Sequence, residues 1–172
     1  MGVNLLERRL VLAMLGLLMA GPAIAADQSN PLGASKYPDS SLKGPPIVFI
    51  AELSAAEESM VVDSPGKGRV EFTLDRPTMR ISWKLTYEKL TSAPIAAQVH
   101  GPQTPGGEAG PLFDLAPNGV KTPLEGSIVL SDGQLRYLLT DRMYVNITTQ
   151  KYKLGEIRGQ VGRQRPKPNA TQ

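Results

Sequence analysis

The sequence M-Y-V-N-I-T-T-Q-K-Y-K-L-G-E-I-R-G, Met143 to Gly159, indicates the fold of this chain. It reads as two β-strands joined by a short polar connection. Successive side chains of a strand point to opposite faces, so Tyr144 and Asn146 share one face. Glu156 and Arg158 share a face in the same way after the connection. The stretch therefore predicts a closing β-hairpin with polar residues placed regularly on adjacent strands.

Two stretches upstream of this hairpin alternate between apolar and polar residues. Over Arg69 to Leu74, and again over Met79 to Tyr87, every second residue is apolar and the residues between are charged or hydroxylated. Alternation over such lengths predicts β-strands with one packed and one solvated face. Trp83 falls on the apolar face of the second strand, so we expect it in the core.

The remaining segments read as short strands and one helix. Further strands are predicted over Ile47–Leu53, Ile95–His100, Leu112–Leu115 and Gly126–Leu130. From Asp132 to Arg142 the leucines lie at helical spacing instead, and Ser131 or Asp132 can cap the start. Roughly seven or eight short strands with one short helix predict an all-β fold, either an antiparallel β-sandwich or a flattened barrel.

The amino-terminal segment has the pattern of a secretory signal peptide. Arg8 and Arg9 precede an apolar run from Leu10 to Met19, and Ala23-Ile24-Ala25 provides the small residues that signal peptidase recognises. The apolar run is too short for a spanning helix. We therefore expect residues 1–25 to be removed, and the mature protein to be periplasmic or secreted with no membrane span.

The other flanking segments differ in composition from the predicted domain. Residues 26–45 are rich in Pro, Gly and Ser and are expected to be a disordered linker. Residues 46–163 are expected to form the domain, and residues 164–172 a disordered basic tail.

Charge and cysteine content exclude several functions. Without Glu7, Arg8 and Arg9 of the signal segment, the formal net charge falls from +3 to +2, which argues against a nucleic-acid partner. The chain has no cysteine, so thiolate ligands, a thiol nucleophile and disulfides are all excluded. Stability must therefore come from a hydrophobic core.

Three pieces of the chain together resemble the CHRD domain, a module first recognised as a repeat in chordin. They are F-I-A-E-L (Phe49 to Leu53), V-H-G-P with a following G-P-L (Val99 to Leu112), and Y-V-N-I-T-T…G-E-I-R-G-Q (Tyr144 to Gln160). The resemblance covers essentially the whole predicted domain. It implies an extracytoplasmic, immunoglobulin-like β-sandwich, and it implies little about chemistry.

The chain departs from that family at two positions. Members commonly have His-x-His where this chain has Gln98-Val99-His100, and Asn-x-His-Thr where this chain has Asn146 to Thr149. Such histidines could form a copper or zinc site in those members. Gln98 and Thr148 are poor replacements as ligands. We therefore expect no cofactor, with copper or zinc on His100, helped by Glu108 or Glu156, as the alternative.

The polar residues of the hairpin and of the strand before the Gly/Pro-rich loop form one candidate ligand-binding cluster. Its members are Gln98, His100, Asn146, Thr148, Glu156 and Arg158. A structural interpretation makes Glu156 and Arg158 an ion pair or part of a hydrogen-bond network that holds the hairpin. A functional interpretation makes the cluster a recognition surface, and His100 its proton-handling or metal-binding residue.

No motif of a hydrolase or of a phosphate-binding loop is present, so no catalytic residues are predicted. The acidic residues Glu52, Glu57, Glu58 and Asp63 lack the spacing of a calcium loop and indicate a solvated loop.

We expect a non-catalytic binding or structural module with a protein or envelope component as its partner. The rival hypothesis is a copper or zinc protein with a redox or superoxide-related role. Carbohydrate binding would need exposed aromatic residues, for which Tyr37 and Tyr152 are the candidates.

Overall fold

The computed structural model describes residues 43–164, which contain nine strands and one α-helix. The strands are Ile47–Ser54 (β1), Lys67–Asp75 (β2), Arg80–Glu88 (β3), Pro94–His100 (β4), Pro111–Asp114 (β5), Leu124–Val129 (β6), Tyr144–Thr149 (β7), Ile157–Gln160 (β8) and Gly162–Arg163 (β9). A short 3₁₀ helix, Ala55–Glu57, follows β1, and the α-helix α1, Asp132–Leu139, precedes β7. The predicted strands exist, with ends that differ by one or two residues.

All strand pairs are antiparallel and lie in one sheet. The order is β5-β4-β7-β8-β1-β2-β3-β6, and β9 pairs with β1 outside this path. β8 and β1 share only one pair of residues, Ser54 and Arg158. The sheet therefore has two four-stranded halves with a narrow junction between them. The predicted all-β, antiparallel fold with one short helix is confirmed.

The β2–β3 hairpin follows directly from the alternation of its sequence. Its register pairs Phe72 with Trp83 and Leu74 with Ile81, and all four side chains are buried. The prediction that the second strand begins at Met79 is wrong by one residue. Met79 has φ of 52°, which is a turn conformation, and the strand begins at Arg80.

The sheet curls so that its two halves share one core. The ring of Trp83 on β3 lies 6.0 Å from the ring of Phe113 on β5, at the far end of the strand order. The indole Nε1 of Trp83 donates a hydrogen bond of 3.2 Å to the carbonyl of Leu115. Trp83 is 6% exposed, which confirms its predicted place in the core.

The helix is shorter than the sequence predicted. The Ser131 side chain accepts a hydrogen bond from the backbone N–H of Gln134, and Oε1 of Gln134 accepts one from the backbone N–H of Ser131, so a capping box starts the helix. Leu135 and Leu138 are buried, whereas Leu139 is exposed. The predicted end at Arg142 is wrong, because Asp141 has φ of 54° and the chain turns there into β7.

Several sequence predictions concern residues outside the described part of the chain. These are the signal peptide (residues 1–25), the linker up to residue 42, the tail from residue 165, and the exposure of Tyr37. Within residues 43–164, no helix is long and apolar enough to cross a membrane.

Candidate ligand-binding cleft

Strands β4, β7 and β8 lie side by side and align polar side chains on one face. Their register forms two rows across the three strands, His100–Tyr144–Gln160 and Gln98–Asn146–Arg158. Paired residues on neighbouring antiparallel strands project from the same face. The sheet therefore brings together side chains that are more than 40 residues apart in the sequence.

The loop of residues 101–111, which runs from the end of β4 to the first residue of β5, is held against this face. Nδ1 of His100 lies 2.9 Å from the carbonyl oxygen of Ala109. The hydroxyl of Tyr144 accepts a hydrogen bond from the Ala109 N–H and donates one to the Ala109 carbonyl, both at 3.0 Å. Strands β4 and β7 are thus both tied to the backbone of this loop.

Two side chains from β8 hold the same loop. Nη2 of Arg158 donates to the carbonyl of Gly107 at 2.5 Å, and Nε2 of Gln160 donates to the carbonyl of Gln103 at 3.1 Å. The loop covers the polar face as a result, and Tyr144 and Arg158 are each only 2% exposed. The regular polar pattern of the hairpin therefore corresponds to a set of side chains that position one loop.

Arg158, Tyr144 and His100 form a stack across the three strands. The guanidinium carbon of Arg158 lies 3.6 Å from the centroid of the Tyr144 ring, and the rings of Tyr144 and His100 are 5.0 Å apart at an angle of 15°. No carboxylate of residues 43–164 lies within ion-pair distance of Arg158. The aromatic ring and the Gly107 carbonyl are therefore its close partners, an arrangement that suits the weakly hydrated guanidinium.

The environment of His100 defines its chemical state. A carbonyl oxygen only accepts hydrogen bonds, so Nδ1 carries the hydrogen and Nε2 has the free lone pair. Burial lowers the pKa of His100 below its ordinary value of 6.5, and the charge of Arg158 acts in the same direction, against the hydrogen bond to Ala109. His100 is therefore neutral at pH 7. Within residues 43–164, no group of three His, Asp or Glu side chains could hold a metal ion, either at His100 or at another position.

Glu156 belongs to a different network from Arg158. It is fully buried, and its carboxylate accepts hydrogen bonds from the Ser64 hydroxyl (2.6 Å), the Thr91 N–H (2.6 Å) and the Thr149 hydroxyl (2.7 Å). Burial by itself would raise the pKa of Glu156, but these hydrogen bonds outweigh it and lower the pKa below 4.5. The structural interpretation thus holds as a hydrogen-bond network, whereas the ion pair of Glu156 with Arg158 does not form.

A small cleft of about 110 Å³ opens beside the stacked side chains. Its walls include Ser59, His100, Glu108, Asn146, Leu154 and Arg158. The hydroxyl of Ser59 donates to the carboxylate of Glu108, which links the β1–β2 connection to the 101–111 loop across the cleft. A volume of this size holds one functional group or a few waters rather than a whole ligand.

The cleft contains half of the sequence-predicted cluster. His100, Asn146 and Arg158 line it. Gln98 and Thr148 are half-buried on β4 and β7 and are not among its walls. Glu156 lies in the network described above and does not support His100, so the suggested pair of metal ligands is not formed.

Sequence reasoning missed three residues near the cleft: Glu58, Ser59 and Leu154. The sequence indicates a solvated loop at Glu58, but the side chain is half-buried and its Oε1 is enclosed. Ser59 and Leu154 lie in connections between strands, where no periodicity indicates which residues approach one another. Only the pairing of β7 with β8 places Leu154 beside Asn146, whose Nδ2 donates to the Leu154 carbonyl at 2.8 Å.

Comparison with known proteins identifies a family. The family model of the CHRD domain matches residues 49–161, which include β2 to β8 and all of β1 except its first two residues, while β9 lies just beyond the match. No curated protein and no solved structure matches the chain significantly.

Proposed function

Because the chain belongs to the CHRD domain family, we propose that it is an exported, non-catalytic binding or structural module that acts in the periplasm or outside the cell. The signal-peptide pattern of residues 1–25 supports export. The two halves of the curled sheet support an immunoglobulin-like sandwich. The partner is proposed to be a protein or another component of the cell envelope.

The observation that carries this proposal is an exposed apolar rim beside the cleft. Met60 (59% exposed), Val61 (103%) and Leu154 (74%) account for half of the six large hydrophobic residues that are exposed among residues 43–164. They line a groove of about 200 Å³ together with Lys151 and Lys153. Burying one such side chain contributes roughly 1.5–3 kcal/mol. Clustered exposure of this kind is typical of a surface that is covered by a partner.

The rigid loop next to the rim supports the same function. Four side chains from three strands hydrogen-bond to the backbone of the 101–111 loop. A loop that is already ordered loses little conformational entropy when a partner binds, which increases affinity. The polar residues of β4, β7 and β8 would thus act indirectly, by shaping the recognition surface.

The engagement of the same polar groups argues against catalysis. The Arg158 guanidinium stacks on Tyr144 and holds Gly107, and the Glu156 carboxylate accepts three hydrogen bonds. A general acid or base must be able to exchange a proton with a substrate within hydrogen-bond reach. Glu156 is enclosed and has a lowered pKa, so it does not meet that condition.

A site-specific crosslinking experiment tests the binding function. A photo-crosslinking amino acid replaces Val61 in the full chain, and a matched variant carries it at Val129, which is exposed (41%) on β6. We expect an adduct of one defined mass from position 61 in intact cells, none from position 129, and loss of the adduct when Leu154→Asp is added. Equal adducts from both positions, or none from position 61, would overturn the proposal.

A further inference from the structure

Two buried oxygen atoms beside the cleft have no hydrogen-bond partner among residues 43–164. One is Oε1 of Glu58, directly after the 3₁₀ helix, and the other is Oδ1 of Asn146 on β7. The orientation of the Asn146 amide is defined, because its Nδ2 donates to the Leu154 carbonyl. The unpartnered atom of Asn146 is therefore the oxygen, which only accepts hydrogen bonds.

Both oxygens border the space that a side chain on Gly155 would occupy, so the glycine leaves room for them there. A Cβ atom on Gly155 would lie 2.5 Å from Oε1 of Glu58 and 2.6 Å from Oδ1 of Asn146. Gly155 also has φ of 154°, so a side chain is disfavoured there on both grounds. Two acceptors thus border the same enclosed space, and the described part of the chain offers no hydrogen-bond donor to either of them. An unsatisfied buried acceptor costs roughly 1–3 kcal/mol, so a donor is needed.

We propose that Glu58 binds a proton in the folded protein and, as a carboxylic acid, donates a hydrogen bond to Oδ1 of Asn146. The ligand of this site is the proton itself. A carboxylic acid has one O–H donor, which matches the one free acceptor of the amide. Both oxygens are shielded from solvent, so a proton on Glu58 satisfies the pair without an additional molecule.

The charges around Glu58 agree with this assignment. Burial raises the pKa of Glu58 from 4.5 to about 7. Of the charged groups that face it, Arg158 on β8 favours the ionised form, and Glu108 on the 101–111 loop favours the protonated form. The site therefore exchanges its proton near neutral pH.

The protonated Glu58 side chain holds the segment that joins β1 to β2 against β7, at the wall of the cleft. Ser59 lines that cleft, and Met60 and Val61 of the apolar rim follow in the chain. When Glu58 loses its proton, two oxygens that carry negative and partial negative charge face each other, and the connection is released from Asn146. Proton binding thus controls the order of residues 58–62.

The test measures the protonation of Glu58 and the backbone order of residues 58–62 in two separate experiments. Carbon-13 NMR of the glutamate carboxyl groups in the full chain follows the titration of Glu58. Hydrogen-exchange protection factors of residues 58–62, corrected for intrinsic rates, are compared at pH 6 and pH 8. We expect Glu58 to titrate near pH 7, and protection to fall severalfold at pH 8.

Two variants complete the test. In Glu58→Gln the amide N–H replaces the acid O–H as donor, so protection should be high and equal at both pH values. Glu57→Gln alters the exposed neighbour and should retain the pH dependence of the wild type. Titration of Glu58 near 4.5, or protection in the wild type that does not change with pH, would overturn the proposal. The NMR titration of the wild type decides this even if Glu58→Gln does not fold.

Discussion

The guanidinium of Arg158 packs on the ring of Tyr144 at 3.6 Å, and both side chains hydrogen-bond to the backbone of the same loop. One residue comes from β8 and the other from β7, and neither pairs directly with the other in the sheet register. The Y-V-N and G-E-I-R-G segments are therefore connected through a diagonal contact as well as through the strand ladder. This contact explains why a buried cation is tolerated although no carboxylate of residues 43–164 lies at ion-pair distance from it.

Arg158→Lys tests this contact. Lysine keeps the charge but loses the planar group that stacks on Tyr144 and reaches Gly107. We expect the free energy of unfolding to fall by about 1–3 kcal/mol, measured by urea denaturation. Arg69→Lys is the control, because Arg69 forms an exposed ion pair with Glu52 and such pairs contribute about 0–1 kcal/mol. Equal effects of the two substitutions would contradict the structural role of the stack.

Glu156→Gln is expected to destabilise the protein at pH 7 by roughly 1.5–3 kcal/mol, because three donors lose a charged acceptor. The pKa of Glu156 is lower in the folded state than its ordinary value of 4.5. The stability that the carboxylate contributes is therefore present above pH 4.5 and is lost as the pH falls through the folded pKa. The difference in unfolding free energy between wild type and variant should therefore become smaller as the pH falls through the folded pKa of Glu156.

Urea unfolding across a series of pH values measures that difference. The control is Glu125→Gln, which alters an exposed carboxylate paired with Lys84 on the sheet surface. Its effect should be small throughout. If the loss of unfolding free energy in Glu156→Gln stayed constant down to low pH, the charge of Glu156 would not be what stabilises the network.

Gly159→Ala tests the junction between the two halves of the sheet. A Cβ atom at this position would collide with the backbone carbonyl of Glu52 on β1. Backbone cannot move aside as a flexible side chain can, so we expect a loss of about 1–3 kcal/mol or more in unfolding free energy. Gly162→Ala, where no atom of the described residues 43–164 lies within 4 Å of the added Cβ, should change stability by less than about 1 kcal/mol. A shift in Tm of similar size for both variants would contradict the close approach of β8 to β1.

A titration with copper and zinc tests the metal alternative. His100 offers only Nε2, and the described residues contain no group of three metal-binding side chains. We expect weak binding of Cu(II) and Zn(II) to the full chain by calorimetry, and no change in His100→Ala. Tight binding at one equivalent that disappears in His100→Ala would instead establish His100 as a ligand and favour the metal-protein hypothesis.

The sequence by itself determined the features that depend on local pattern. Alternation over Arg69–Leu74 and Met79–Tyr87 predicted the β2–β3 hairpin, since period two is a property of any extended strand. The leucine spacing and the Ser131 cap predicted the helix, because capping involves residues three apart. The spaced segments from Phe49 to Gln160 also identified the family, and residues 49–161 match it.

Only the tertiary structure decided what the polar residues do. The sequence pattern predicts that Glu156 and Arg158 lie on the same face of a strand. In the structure, Glu156 binds Ser64, Thr91 and Thr149, whereas Arg158 stacks on Tyr144. The 101–111 loop is held through its backbone groups by four side chains, and every residue type has the same carbonyl and nearly always the same N–H. The sequence therefore carries no mark of which loop a side chain holds. Glu58 likewise looks like any solvated glutamate until the fold places its carboxyl beside Asn146 and Gly155, where burial rather than sequence sets its charge.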